Sequence, residues 1–239
     1  MTPSQHSEIR NYLLSKQLPI DILIEVEDHF ISQINDLQRV ETKDFETAFE
    51  KVKNAWKPEL NFPKYRIQFD LNDTTYFLKK IQMAESKSIG IQSVKITLVA
   101  FSTLFIIAYL LPENLFFYAF SSFVAVVMLV PIAQYIRYFK VFRLVKRYDN
   151  YKLTVHQDAA VLSLVFLGSF AQFLINLKMF SSMLYHTFHL TAQNPLYYAG
   201  NSLLIFLVLM NAYCFLAQRS YLNQIEKVKP YLKHLKPNN

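Results

Sequence analysis

Three groups of residues in this sequence have types and spacings from which chemistry can be built. Glu25 and His29 stand four apart and so can share one face of a helix, whereas Asp28, adjacent to His29, is turned away by about 100° and cannot share a ligand with it. Two ligands fall short of the four that a structural zinc takes. The plainer reading is that His29 packs at the edge of a helical domain while the carboxylates are solvated or pair with Arg39 or Lys43. His186 and His189, three apart, are a second metal-competent pair, but no Cys, Asp or Glu accompanies them between residues 179 and 195, which favours an aromatic interface. The third group is the basic run Arg137, Lys140, Arg143, Lys146 and Arg147. On a helix, Arg137, Lys140, Arg143 and Arg147 share one face and Tyr138, Phe142 and Val145 another, so the run is expected to lie as a helix in the headgroup layer. Each such charge contributes about 1 kcal/mol near an anionic leaflet. It serves as a topology determinant and lipid anchor, or as a docking surface for an acidic partner.

Other chemistries find no support. No nucleophile and base pair, phosphate-cradling loop or zinc motif is visible, and three glycines exclude a nucleotide fingerprint. No catalytic residue, metal or cofactor is expected. The formal charge of +7 is uneven: residues 1–90 hold 12 basic against 14 acidic residues, residues 91–239 hold 13 against 4. The surplus sits beside apolar runs, where topology explains it better than nucleic acid does. The single cysteine, Cys214, lies within an apolar run and reads as a small buried hydrophobe.

The elements that must position these residues follow from hydropathy. Ile96 to Leu111 is sixteen residues without a charge; with Val94 and Lys95 it reaches roughly 27 Å as a helix, close to the thickness of a hydrocarbon core. Four spans are expected, at 94–111, 115–136, 159–177 and 196–218, the first two joined by the turn Pro112-Glu113-Asn114. Pro131 is expected to kink the second near its inner end. Phe180, Met183, Leu184 and Phe188 are spaced for an interfacial helix after the third. The fourth leads into a basic tail over 219–239. The first ten residues lack the charged and apolar regions of a secretory signal, so no cleavage is expected.

Before the first span the pattern is amphipathic and helical. A short helix is expected over 6–18, closed by Pro19; a second from Ile20 or Asp21 to about Gln38, with Leu23, Val26, Phe30, Ile34 and Leu37 on one side; and a third capped by Thr42, burying Phe45, Ala48, Phe49, Val52 and Trp56 and closed by Pro58. Residues 61–93 then form a linker, with an alternating run over 65–71, and a juxtamembrane helix that ends at Gly90. The fold class is thus all-α: a small cytoplasmic three-helix domain, residues 1–60, and a four-helix transmembrane bundle, residues 94–218.

The run LPIDILIEVEDHFISQINDLQ followed by DFETAFEKVKNAW resembles the HAAS domain, a helical module at the N-terminus of bacterial membrane proteins often encoded beside PadR-type regulators. Leu18-Pro19, Asp28-His29 and the Phe45 to Ala48 spacing carry the resemblance over residues 8 to 57; the usual turn glycine before the third helix is replaced by Arg39-Val40-Glu41. It implies a cytoplasmic signalling or interaction domain, with Asp28, His29, Phe45 and Ala48 as its marks, in a bacterial inner membrane.

Orientation follows from counting. With the N-terminus inside, 24 of 25 Lys/Arg are cytoplasmic and only Lys178 is outside, which favours four spans with both termini in the cytoplasm. The spans carry no charged group in mid-membrane, Lys95 lying at the inner edge; their polar residues, among them Ser121, Gln134, Gln172, Asn201 and Asn211, more often join helices than line a pathway. The leading reading is a non-enzymatic signalling or regulatory membrane protein with a protein partner at its helical domain. The alternative is a small transport or channel subunit, built as a homo-oligomer around those neutral polar residues.

Overall fold

Thr2 starts the first helix with a capping box: its Oγ1 accepts the Gln5 N–H at 3.3 Å while the Gln5 Oε1 accepts the Thr2 N–H at 2.8 Å. Helix α1, Pro3–Leu14, therefore begins and ends earlier than its apolar spacing alone suggests. The chain turns through Gln17, at φ 54°, and Pro19 does not close α1 but stands at the start of α2, Ile20–Val40. In α3, Phe45–Leu60, the cap is Asp44, which accepts the Thr47 N–H at 3.3 Å, and not Thr42, whose φ of 49° takes it out of the extended conformation a capping residue needs. Pro58 does not close α3 either: the helix runs two residues past it and fully buries Leu60, which offsets the backbone hydrogen bond that proline cannot make.

The computed structural model describes residues 1–62, 75–157, 174–191 and 194–235, and its regular elements are all helices, with no strand among the described residues. The expected run over 65–71 and most of the expected span at 159–177 lie outside them. Beyond α3 come α4, Tyr76–Leu110; α5, Glu113–Arg137; two single turns, α6, Phe139–Phe142, and α7, Leu144–Arg147; α8, Leu177–Phe188; α9, Pro195–Val228; and a 3-10 turn, Lys229–His234. Helix α4 is continuous through Gly90, so there is no separate juxtamembrane helix. A lone glycine weakens a helix by about 1 kcal/mol without removing a hydrogen bond, and here a Cβ added at Gly90 would meet nothing within 4 Å, so no close approach requires the glycine.

The chain forms two units. Unit 1 comprises Met1–Ser86, Leu144–Val155 and Asn223–Asn239. Its core is built from Ile9 and Leu13 of α1, Leu23, Val26, Phe30 and Ile34 of α2, and Phe45, Ala48, Phe49 and Val52 of α3, joined by Leu78 and Val155. The segment after α7 closes on the start of α2: the Ile20 N–H donates to the Lys152 carbonyl at 2.8 Å and the Asp21 N–H to the Leu153 carbonyl at 3.3 Å. Two of the N–H groups that every helix leaves unsatisfied at its first turn thereby find partners.

Unit 2 comprises Lys87–Arg143 and His156–Leu222. Leu104 and Ala108 of α4, Phe116, Phe120 and Val124 of α5, Phe180 and Leu184 of α8, and Leu204, Leu207 and Val208 of α9 form its core. Three helices, α4, α5 and the one beginning at Pro195, are long and apolar enough to cross a membrane. Only 22% of the most apolar stretch of α4 and of α5 is buried, and Leu98, Val99, Ile106, Leu110, Val126 and Leu129 lie exposed. So much uncovered apolar surface suits hydrocarbon and not water.

Candidate interaction sites

In unit 1 the four marks of the helical domain separate into two kinds. Asp28 and His29 are exposed on α2, with the His29 ring tilted against Trp56 at 6.4 Å between centroids. Phe45 and Ala48 lie in the core, stacking against Phe49 in the case of Phe45. Glu25 meets Lys227 at 3.2 Å, and Arg39 pairs with Asp36 at 3.3 Å. Glu41 takes both Lys43 and Lys51, each at 2.7 Å, and the two ammonium groups hold its carboxyl down at about 2. Beside this cluster, Leu37, Val40, Val52 and Ala55 line an open groove of about 400 Å³ between α2 and α3.

Two buried carboxylates were not singled out by sequence. Glu27, 5% exposed, is gripped by Arg10 of α1. A signal existed, since residue 27 falls on the same helical stripe as Leu23, Phe30 and Ile34. Asp21, also 5% exposed, accepts the Ile22 N–H at 3.0 Å through Oδ1 and the Val155 N–H at 3.4 Å through Oδ2. Burial pushes its carboxyl up to about 6, against the two N–H donors and with help from Glu85 and Glu25.

The basic residues Arg137, Lys140, Arg143, Lys146 and Arg147 are all exposed, but they do not lie on one helix. The helical path breaks at Tyr138, with φ −107° and ψ 21°, and again at Arg143, between α6 and α7. The cause lies within unit 2, where the Phe142 ring is stacked between Tyr135 at 5.0 Å and Tyr221 at 5.2 Å. The fully buried Tyr221 of α9 also donates its hydroxyl to the Val141 carbonyl at 3.1 Å, giving that carbonyl a side-chain partner. Arg137 and Arg143 lie over the rings of Tyr138 and Phe139.

The histidines of α8 do not converge. His189 Nδ1 lies 3.0 Å from the Tyr185 carbonyl, which makes it the donor, and its ring stacks on Tyr109; His186 Nδ1 faces the Thr191 hydroxyl at 2.9 Å. What the sequence hid is an acid beside them: Glu113, the first residue of α5, accepts the Ser182 hydroxyl at 2.7 Å and stands 3.7 Å from His186 Nε2. Among the described residues no group of three His, Cys, Asp or Glu is placed to hold a metal. The chain matches no family model, no curated protein and no solved structure. Each role must therefore be argued from geometry. Salt bridges, caps and aromatic stacks account for most of the contacts above, and the cleft at Glu113 and the groove at Val40 are two concave surfaces among the described residues that stand open.

Proposed function

We propose that this is a four-span inner-membrane protein with both termini in the cytoplasm, whose helical unit binds a protein partner and acts in signalling or regulation without catalysis. The supporting observation is the composition of unit 1. Residues from α2, from the start of α4, from 152–155 and from the end of α9 bond to one another: Ile20 to Lys152, Val155 to Asp21, Gln224 to Glu85 at 3.1 Å, and Lys227 to Glu25. Segments that share one polar unit lie on one side of a membrane. Between Ser86 and Leu144 the chain has two helices fit to cross, α4 and α5; between Val155 and Asn223 it has one among the described residues, α9. An even number of crossings each time is met by the reading of four spans, in which the hydropathy of 159–177 supplies the fourth.

The positive-inside bias puts this shared side in the cytoplasm, next to anionic headgroups that suit Arg137, Lys140, Arg143, Lys146 and Arg147. The resemblance to HAAS domains supports an interaction role for residues 1–60. The transport reading is favoured less, because Asn201, one of the residues on which it depends, ties α9 to α8 by donating to the Thr187 hydroxyl at 2.7 Å.

Single cysteines introduced into a Cys214→Ser background test the topology. Gln5→Cys and Asn150→Cys should react with an impermeant maleimide only after the cells are opened, and Asn114→Cys and Leu190→Cys in intact cells. Labelling of Leu190→Cys from the same side as Asn150→Cys would overturn the four-span arrangement. For the partner, the intact protein should retain a specific protein from a membrane extract, and lose it when Asp28 and His29 are replaced by alanine; retention of the same partner by that variant would remove the helical unit from the interaction.

A further inference from the structure

A cleft of about 690 Å³ opens in unit 2 between the first turn of α5 and the first turns of α8, within the range of small-ligand sites. At one side stand the carboxylate of Glu113 and the rings of Phe117 and Tyr118; at the other stand Lys178 and Ser181. Glu113 is held by the Ser182 hydroxyl through one oxygen, Oε1, and no described residue donates to the other. Lys178 is exposed and has no carboxylate within ion-pair distance among the described residues.

The second observation is independent of these surface charges. Ser93, Thr97, Thr103, Ser122, Thr187 and Ser202, all on helices of this unit, donate to the carbonyl four residues earlier, at 2.8 to 2.9 Å. Ser181 does not. It is 2% exposed, lines the cleft, and its hydroxyl has no partner among the described residues. A buried hydroxyl in this position is unfavourable unless something in the cleft bonds to it. Two aromatic side chains and a carboxylate suit a cationic nitrogen; an ammonium group and a free hydroxyl suit an oxyanion.

We infer that this cleft binds a zwitterion carrying a primary ammonium and a phosphate or carboxylate, with the ammonium at Glu113 and the anion at Lys178 and Ser181. The same chemistry is offered by the headgroup of phosphatidylethanolamine and by a free molecule such as phosphoethanolamine. This does not depend on which face of the membrane the cleft occupies.

The full-length protein in lipid-free detergent tests both sources. Native mass spectrometry with equimolar phosphatidylethanolamine, phosphatidylcholine and phosphatidylglycerol reads the lipid arm, and thermal shift with phosphoethanolamine reads the soluble arm. Preferential retention of phosphatidylethanolamine, or a rise in melting temperature with phosphoethanolamine, supports the site and names its source, provided Lys178→Gln weakens it by about tenfold or more. Glu113→Gln, which keeps an acceptor for Ser182, and Ser181→Ala should each weaken it as well. Because Lys178 is exposed, its substitution leaves the fold intact. Failure of both arms, preference for phosphatidylglycerol or phosphatidylcholine, or binding that Lys178→Gln leaves unchanged would overturn the inference.

Discussion

Arg10 of α1 forks onto Glu27 of α2, with Nη2 2.9 Å from Oε1 and Nε 3.2 Å from Oε2. The two ends of this pair are unequal: the Arg10 side chain is 46% exposed and the Glu27 side chain 6%. Removing the arginine strands a buried carboxylate, whereas removing the glutamate leaves an arginine that water can solvate. Arg10→Met should therefore lower stability by about 2 kcal/mol and Glu27→Met by less, with the double variant recovering most of the loss. The one tryptophan, Trp56, packs against the core of the same unit and reports its unfolding by fluorescence. Equal losses from the two single variants would refute this asymmetry.

Asp21 makes the stability of that unit depend on pH in the sense opposite to most carboxylates. Its carboxyl is raised to about 6, so the fold prefers the protonated form. The preference is fully expressed below the ordinary value near 3.8 and is lost as pH rises through 6, leaving a buried carboxylate at neutral pH. Asp21→Asn stays neutral throughout. Relative to the native chain it should gain about 1 kcal/mol between pH 5 and pH 7.5, read by urea unfolding followed at Trp56. A constant difference across that range would show that Asp21 is not held in this way.

The cores of α2 and α3 were legible because they rest on spacing. Leu23, Val26, Phe30 and Ile34 recur at helical intervals, as do Phe45, Ala48, Phe49 and Val52, and all eight are buried. The closure of residues 152–155 on α2 was not, because it is made largely by backbone groups, which leave no side-chain pattern. Glu113 and Ser182 are 69 residues apart and meet only once α5 and α8 pack. The break in the basic run escaped for a related reason: a 3.6-residue period describes a helix in isolation, and here Phe142 stacks between Tyr135 and Tyr221, the second of them distant in sequence from the run. Capping was ambiguous at residue level, since Thr42 and Asp44 are both competent and only backbone geometry decides between them.

That geometry gives a third prediction. Thr42 follows the last turn of α2 with φ 49°, the left-handed conformation that glycine usually supplies after a helix. A β-branched residue there costs about 1–2 kcal/mol. Thr42→Gly should stabilise unit 1 by about 0.5–1 kcal/mol after the added flexibility of the unfolded chain is allowed for. Thr42→Ala, which keeps a Cβ, should gain little. Thermal unfolding at Trp56 separates the two, and a greater gain from alanine than from glycine would place the strain elsewhere.

Gly200 does for unit 2 what spacing rules did not reveal. A Cβ added there would come within 2.8 Å of the Met183 Sδ and 3.6 Å of Phe180, so α9 approaches α8 through this residue. The tighter neighbour is the far end of a flexible side chain, which can move aside for a single methyl. The helix itself gains about 0.5–1 kcal/mol from alanine in place of glycine. Gly200→Ala should therefore change stability by less than about 1 kcal/mol. Gly200→Leu adds three further carbons against Met183 and Phe180, and should cost about 1–3 kcal/mol. Helical circular dichroism on heating in detergent measures both. Similar melting for the alanine and leucine variants would mean that α8 and α9 do not depend on close packing at this position.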